Sequence, residues 1–352
     1  MKKTTLLSSI IIAITSILLS ANSNAQTLVN QEWVTTGANP NYHFQYFNAA
    51  SNNGYLYLVG NSYHTAQQEN FIIGKMDDQG NWLWFREYNS ISNYKDFGID
   101  IFAKDSFIYV TGISWDSVSN NSEIVTMRID DSTGNILWSQ TWGSRYNVAV
   151  KVIADNAGNI YVGGTAQTAV SEFGMVVLKY KPTGSFEWES IYDSTGIMEG
   201  AVTMLLDSPQ TNITITGYSG NTTNNWNFAT IEMDAASGSI KTSTITNNGS
   251  GGFSSPVGIS KDHNDATFIA GTVANPTTGK AQMKLIAYDD QWNVNFIRIW
   301  GDSTTSTEAA DYHFDFNGGK TLLGNHTRSN GTKEIVLVRY ESDPAQFMWA
   351  RT

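Results

Sequence analysis

The 352-residue chain has no cysteine, a formal net charge of −11 and only 15% charged residues. Lack of cysteine excludes disulfide staples and thiol chemistry, and the acidic balance argues against nucleic acids and anionic membranes as partners. Abundant Gly, Asn, Thr, Ser and aromatic residues, few prolines and no long amphipathic helical pattern point to short strands joined by polar turns.

In chain order, Met1-Lys2-Lys3 precedes an apolar run from Leu6 to Leu19 and then "ANSNAQ", with Ser23 and Ala25 as small residues ahead of Gln26. This predicts a secretory signal peptide over 1–25. The expected location is therefore extracellular or cell-surface, or periplasmic, with no membrane insertion after cleavage. Residues 26–352 are too many for one ordinary core unless that core is repeated. "NQEWVTTG" (30–37) reads as an isolated strand whose Trp33 stands 51 residues before Trp84.

Repetition follows at once. "YLYLVG", "FIYVTG", "IYVGG", "ITITG", "TFIAG" and "TLLG" end at Gly60, Gly112, Gly164, Gly217, Gly271 and Gly324, at intervals of 52, 52, 53, 54 and 53 residues. Each is read as a strand ending in glycine. After each comes a polar loop, a period-2 strand such as "EIVTMRID", a glycine turn such as "DDSTGN" and a strand marked by an aromatic residue. The marks are Trp84, Trp138, Trp188, Phe296 and Trp349, with Thr242 in the fourth copy. An apolar strand such as "FGIDIFA" (97–103) precedes each glycine strand.

One unit is thus four antiparallel strands, a to d, exposing two faces that only stacking against neighbours can bury. The fold predicted is an all-β propeller with strands a around a channel and strands d outside. Its blades span approximately 41–90, 95–143, 146–193, 198–247, 253–301 and 310–352. The extra strand at 30–37 leaves two readings open, a seven-bladed ring whose last a-b-c lies beyond the chain or a six-bladed ring. The tryptophans are expected to wedge between blades, the alternative being an exposed binding platform.

Chemistry-bearing motifs are sparse. His43, His64, His263, His313 and His326 form no metal-ligand spacing, and there is no G-x-S-x-G elbow, P-loop or dinucleotide motif. "DNAGN" (155–159) lacks the bidentate glutamate of a calcium loop and reads as a β-turn. Aligning strand a places Asn41, Asp96, Asn147, Glu199, Ser254 and Asp311 just before the inner strands, around one channel mouth. Such a set suits Ca²⁺ or cationic or hydroxyl-rich ligands, or else satisfies backbone N–H groups. The b-to-c loops open on the same face and carry Tyr63, His64, Trp115 and Trp226, aromatic groups suited to sugars or peptide edges, unless they pack on their own blades.

The unit "DFGIDIFAKDSFIYVTG…EIVTMRIDDSTGNILWSQTWG" (96–143) resembles the SBBP-type bacterial β-propeller repeat in its Asp-aromatic-Gly start, "IYVTG"-like strand, D-x-x-G-N-x-x-W turn and closing glycine. The resemblance extends over nearly all of 30–352; the fourth copy lacks the tryptophan and the fifth has Trp292 in place of the turn glycine. It implies a secreted or surface protein and no particular activity. The expectation is a monomeric binding scaffold for a protein or glycan ligand, without catalytic residues, metal or cofactor, Ca²⁺ being the open case. The alternatives are a carbohydrate-active hydrolase or lyase using the mouth carboxylates and a purely structural adhesin module. Quinone-dependent dehydrogenase propellers share the Trp-rich repeats but bring paired cysteines and metal ligands absent here.

Overall fold

The computed structural model describes residues 42–64, 69–90, 95–116, 118–169, 172–194, 198–220, 226–246, 252–315, 317–341 and 346–351. The predicted leader, the strand at 30–37 with Trp33, Asn41 and the His64 side chain lie outside the described residues.

The described chain is all strand. The first sheet is β1 (Tyr42–Asn52), β2 (Tyr55–His64), β3 (Asn70–Met76) and β4 (Trp82–Tyr88). The second is β5 (Lys95–Lys104), β6 (Phe107–Asp116), β7 (Asn121–Asp130) and β8 (Ile136–Trp142). The third is β9 (Asn147–Ala154), β10 (Ile160–Ala169), β11 (Glu172–Tyr180) and β12 (Phe186–Tyr192). The fourth is β13 (Met198–Leu206), β14 (Asn212–Gly220), β15 (Trp226–Asp234) and β16 (Ile240–Thr246). The fifth is β17 (Ser255–Lys261), β18 (Thr267–Ala274), β19 (Ala281–Tyr288) and β20 (Val294–Trp300). The sixth is β21 (Ser306–Phe314), β22 (Lys320–Thr327), β23 (Lys333–Tyr340) and β24 (Phe347–Arg351). Each is an antiparallel meander, and the third and fourth are joined by one parallel pair, Phe173 with Met198. The first strand of each sheet packs on the first strand of the next, so the core lies between sheets. In one such layer Val59, Phe71 and Ile73 of the first sheet meet Ile101, Val110 and Val125 of the second.

The repeated glycines do not end their strands. β6 runs on from Gly112 to Asp116 and β14 from Gly217 to Gly220. Opposite each glycine the inner strand is bulged, at Tyr46/Asn48, Gly98/Asp100, Ala149/Lys151, Ala201/Thr203, Pro256/Gly258 and Ala309/Asp311. The unpaired residue tips an inner-strand carbonyl onto the glycine. A Cβ on Gly112 would overlap the Phe97 carbonyl oxygen, and one on Gly217 the Gly200 carbonyl oxygen. The glycine spacing thus records a close backbone approach rather than a turn.

Past the bulge, Asp100 ties three inner strands together. Its Oδ1 accepts from Asn48 Nδ2 at 2.6 Å and Lys151 Nζ at 3.1 Å, and its Oδ2 from the Val152 amide at 2.8 Å. Burial pushes its pKa up, against the lowering effect of Lys151.

The tryptophan strands latch one sheet to the next. A second bulge precedes each marked aromatic, so that Trp84 pairs with Lys75, Trp138 with Arg128 and Trp188 with Lys179. The indole N–H groups donate to the Asp131, Pro182 and Ala236 carbonyls in the third-to-fourth-strand turn of the following sheet, at 2.9, 3.0 and 2.9 Å. The rings lie beneath the turn glycines Gly134, Gly184 and Gly238, where a Cβ would come within 2.7–2.8 Å of an indole carbon. The paired cations reach the same turns, Lys75 to the Asp131 carboxylate at 2.7 Å, Arg128 to the Pro182 carbonyl at 2.6 Å and Lys179 to the Ala235 carbonyl at 3.1 Å.

Gly217→Ala should therefore cost about 3 kcal/mol or more through backbone overlap. Gly279→Ala, at φ 68° with nothing within 4 Å of the added carbon, should cost about 1 kcal/mol from its left-handed conformation alone. Urea unfolding of the two variants checks the difference; equal losses would contradict the bulge account.

Candidate functional site at the mouth of the third to fifth sheets

The structure places four of the expected mouth residues at one level. Asp96, Asn147 and Glu199 open β5, β9 and β13, Ser254 directly precedes β17, and all are at most 2% exposed. Asp96 pairs with Ser114, two residues past Gly112, and Glu199 with Ser219, two past Gly217. In the sixth sheet that register belongs to Thr307, paired with His326, two past Gly324. Asp311 is displaced: it pairs with Leu323 beyond the bulge, is exposed and accepts from the neighbouring Tyr312 amide at 2.8 Å. It shares the register of Asp100, not of Asp96: it stands 13 residues before Gly324, whereas Asp96, Asn147, Glu199 and Ser254 stand 16 to 18 before their glycines, the spacing that Thr307 keeps at 17 with the start of β21 at Ser306.

These buried groups stitch connections. Asp96 Oδ2 accepts from the Ser90 amide at 2.7 Å. Asn147 Nδ2 donates to the Ser122 and Arg145 carbonyls at 2.9 and 2.8 Å, while Ser122 Oγ donates to the Asn147 carbonyl at 2.6 Å. Thr307 Oγ1 and His326 Nδ1 are 2.8 Å apart. Asp96 Oδ1 and the facing Ser114 hydroxyl are buried without a well-formed hydrogen bond among the described residues, and burial pushes the Asp96 carboxyl up against the lowering effect of Ser114 and Ser90.

Glu199 is the least satisfied. Its contacts to the Ser194 amide and Ser219 hydroxyl are both 3.4 Å. Burial, aided by the nearby Asp193 charge, pushes its pKa up to about 7.

At the same end of the sheets as Glu199, but around its neighbour Gly200, is a group of aromatic side chains from three sheets. Tyr218 stands opposite Gly200, and its ring occupies the space a Gly200 Cβ would take. The ring meets Trp226 edge-on at 5.2 Å and lies 6.4 Å from Phe253. Trp226 and Phe253 are also 6.4 Å apart. On the other side Tyr146 meets Phe173 edge-on at 6.0 Å. Tyr146 is close enough for its charge to add to the burial that raises the Tyr218 phenol. Phe253 is 54% exposed, Tyr146 42% and Met198, beside Glu199, 41%.

Of these, sequence reasoning singled out Glu199 and Trp226, which the structure places at one end of the fourth sheet without a contact between them among the described residues, and missed Tyr146, Phe173, Tyr218 and Phe253. Trp226 opens β15 instead of riding a long loop, because strands continue past the glycines. Tyr63 and Trp115 likewise lie on β2 and β6, Trp115 pairing with Ser122, which in turn bridges to Tyr146. Tyr63 is exposed, and Trp115 is half-buried with Lys95 Nζ 5.5 Å from its ring. Among the described residues no group of three or more His, Asp or Glu side chains is placed to hold a metal ion.

The chain matches no family model and no curated protein sequence. Among solved structures it is similar to a europium-containing methanol dehydrogenase, at a TM-score of 0.50 and 9% identity over 86% of this chain and 68% of that one. It is also similar to an ulvan lyase described as a new family of polysaccharide lyase bound to -[GlcA(1-4)Rha3S]-, at 0.50 and 14% over 86% and 82%. At such identities the likeness shows the fold alone, a β-propeller-like all-β architecture.

Glu199 gives stability a definite pH dependence. Below the ordinary carboxyl value of 4.5 folded and unfolded chains both hold the proton, and the residue costs nothing. As pH rises from there to about 7, the unfolded chain releases the proton first and stability falls; above it the full cost is present. Glu199→Gln should melt increasingly above the wild type across that window in paired thermal scans. Parallel profiles would show that Glu199 ionises as an ordinary surface carboxyl does.

Proposed function

We propose that the chain is an exported propeller scaffold that binds a protein or glycan ligand at the aromatic mouth of its third to fifth sheets and performs no chemistry on it. The observation that carries this reading is the group of packed rings Tyr146, Phe173, Tyr218, Trp226 and Phe253, of which Tyr146 and Phe253 are exposed and the others half-buried. Such rings present flat apolar faces with polar rims, suited to the C–H faces of sugars and to peptide edges. The net charge of −11 favours neutral or cationic ligands over polyanionic glycans. The inner-strand polar residues support the reading from the other side, since Asp96 and Asn147 are engaged by backbone groups.

The leader at 1–25 and the SBBP-like repeat accord with a monomer at or outside the cell surface. The ring closes on six blades or, through the Trp33 strand, on seven. The rival enzyme reading rests on one observation, a buried carboxyl at Glu199 held near neutrality, which is the setting of a general acid.

Glycan and protein arrays probed with the wild type and with Trp226→Ala and Phe253→Ala separate these readings. The scaffold reading expects a hit whose affinity drops about tenfold in each variant, with no turnover and no effect of Glu199→Gln on the ligand. Turnover of an array ligand near pH 7 that vanishes in Glu199→Gln would establish the enzyme instead. No hit on either array would favour a purely structural module.

A further inference from the structure

The fourth and fifth sheets meet without the latch that joins the sheets before them. The two latch positions, cation and tryptophan, are here Glu232 and its strand partner Thr242. The following turn carries Trp292, at φ 66°, where the earlier turns carry Gly80, Gly134, Gly184 and Gly238. The Trp292 ring lies 5.5 Å from Tyr288 at the end of its third strand, as the ring of Trp138 lies 6.1 Å from Tyr180, and packs on the cluster that joins Phe228 to the fifth sheet, so the turn's own ring stands in for the missing one. A cleft of about 200 Å³ remains, with Glu232, Lys261, Asp265, Asp289, Asp290 and Trp292 in its wall.

The charges of this wall are unevenly engaged. Glu232 is paired with Lys261 at 3.1 Å. Asp289 accepts from the Gln291 and Asn293 amides of its own turn at 3.0 and 2.7 Å. Asp265 and Asp290 have no side-chain partner among the described residues. Asp290 follows the end of its third strand as Asp131 does, and Asp131 is the residue that receives both the Trp84 indole and the Lys75 ammonium. The fourth junction thus keeps the acceptor turn, takes its flat ring from that turn, and has lost the latch cation that uses the turn elsewhere.

We propose that this cleft binds a guanidinium group, the side chain of an arginine supplied from outside the chain. A template stands two junctions away: the Arg128 guanidinium lies 3.6 Å from the Phe107 ring centroid and donates to the Pro182 turn carbonyl. A guanidinium is planar, fits a slot of indole width, stacks on an aromatic face and carries enough N–H donors for two carboxylates at once; an ammonium offers neither the plane nor the fork. The site faces the end of the sheets formed by the first-to-second and third-to-fourth strand turns, opposite the aromatic mouth, and does not depend on the function proposed for that mouth.

Isothermal titration of the full chain with N-acetyl-arginine methylamide, free L-arginine, an arginine-containing peptide and N-acetyl-citrulline methylamide tests it. The arginine amide should bind with a millimolar or lower Kd, and the neutral citrulline isostere at least about tenfold more weakly. A peptide binding more tightly than the amide points to a polypeptide source, whereas free arginine equalling or exceeding it points to a small metabolite. Asp265→Asn/Asp290→Asn, confined to exposed side chains, should lose about tenfold. Thr242→Trp/Trp292→Gly, which restores the pattern of the first three junctions, should close the cleft and abolish binding; a retained thermal transition confirms that it folds. Absence of binding, equal binding of citrulline, or binding unchanged in either double variant would overturn the proposal.

Discussion

Each inner strand carries one residue more than its neighbour can pair with, and it does so opposite a glycine. The bulge presses an inner-strand carbonyl against the glycine Cα, a contact that no side chain permits. Much else depends on it. The bulge breaks the period-2 alternation of the inner strand, separating the buried residues at its start, such as Asp96 and Glu199, from those past it, such as Asp100. It also lets the second strand run on past the glycine, and it is that extension in β14 which carries Tyr218 to the mouth.

The bulges order the inner strands and the latches order the outer ones. An indole N–H and a Lys or Arg nitrogen from one sheet converge on a turn of the next. Because the turn must lie flat on the ring, its glycine and the preceding sheet's tryptophan belong to a single contact although they are far apart in sequence. The fourth and fifth copies make the coupling visible. Tryptophan is missing from one strand and present in the next turn, and a cleft marks the place where the fit fails.

This explains what could be read from the sequence. The repeat, the four-strand unit and the aromatic outer strand were legible because each copy must meet the same geometric demand at the same spacing. The glycine was legible as a position but not as a cause, since a glycine after a β run ordinarily signals a turn, and a bulge on another strand leaves no local mark. Asp311 took the place of Thr307 because β21 starts early, at Ser306, ahead of the apolar run that marks the inner strand in other copies. The aromatic mouth was legible only through Trp226. Tyr146, Phe173, Tyr218 and Phe253 come from three sheets, and nothing local in "YSGNTTNN" shows that Tyr218 faces Gly200. Glu199 was visible as a polar residue at a strand start. Its burial, which holds its proton near neutrality, is a property of the assembled sheets.

The account's central claim is that ligand meets rings at the mouth while the carboxylates below serve the fold. Saturation-transfer NMR on the full chain, irradiating aromatic ring protons in the presence of neutral oligosaccharides and of peptides, tests it most directly. The account predicts transfer from the rings to ligand C–H protons, with the ligand's own spectrum unchanged over hours. Transfer absent from the rings, or a ligand spectrum that evolves into products, would contradict it.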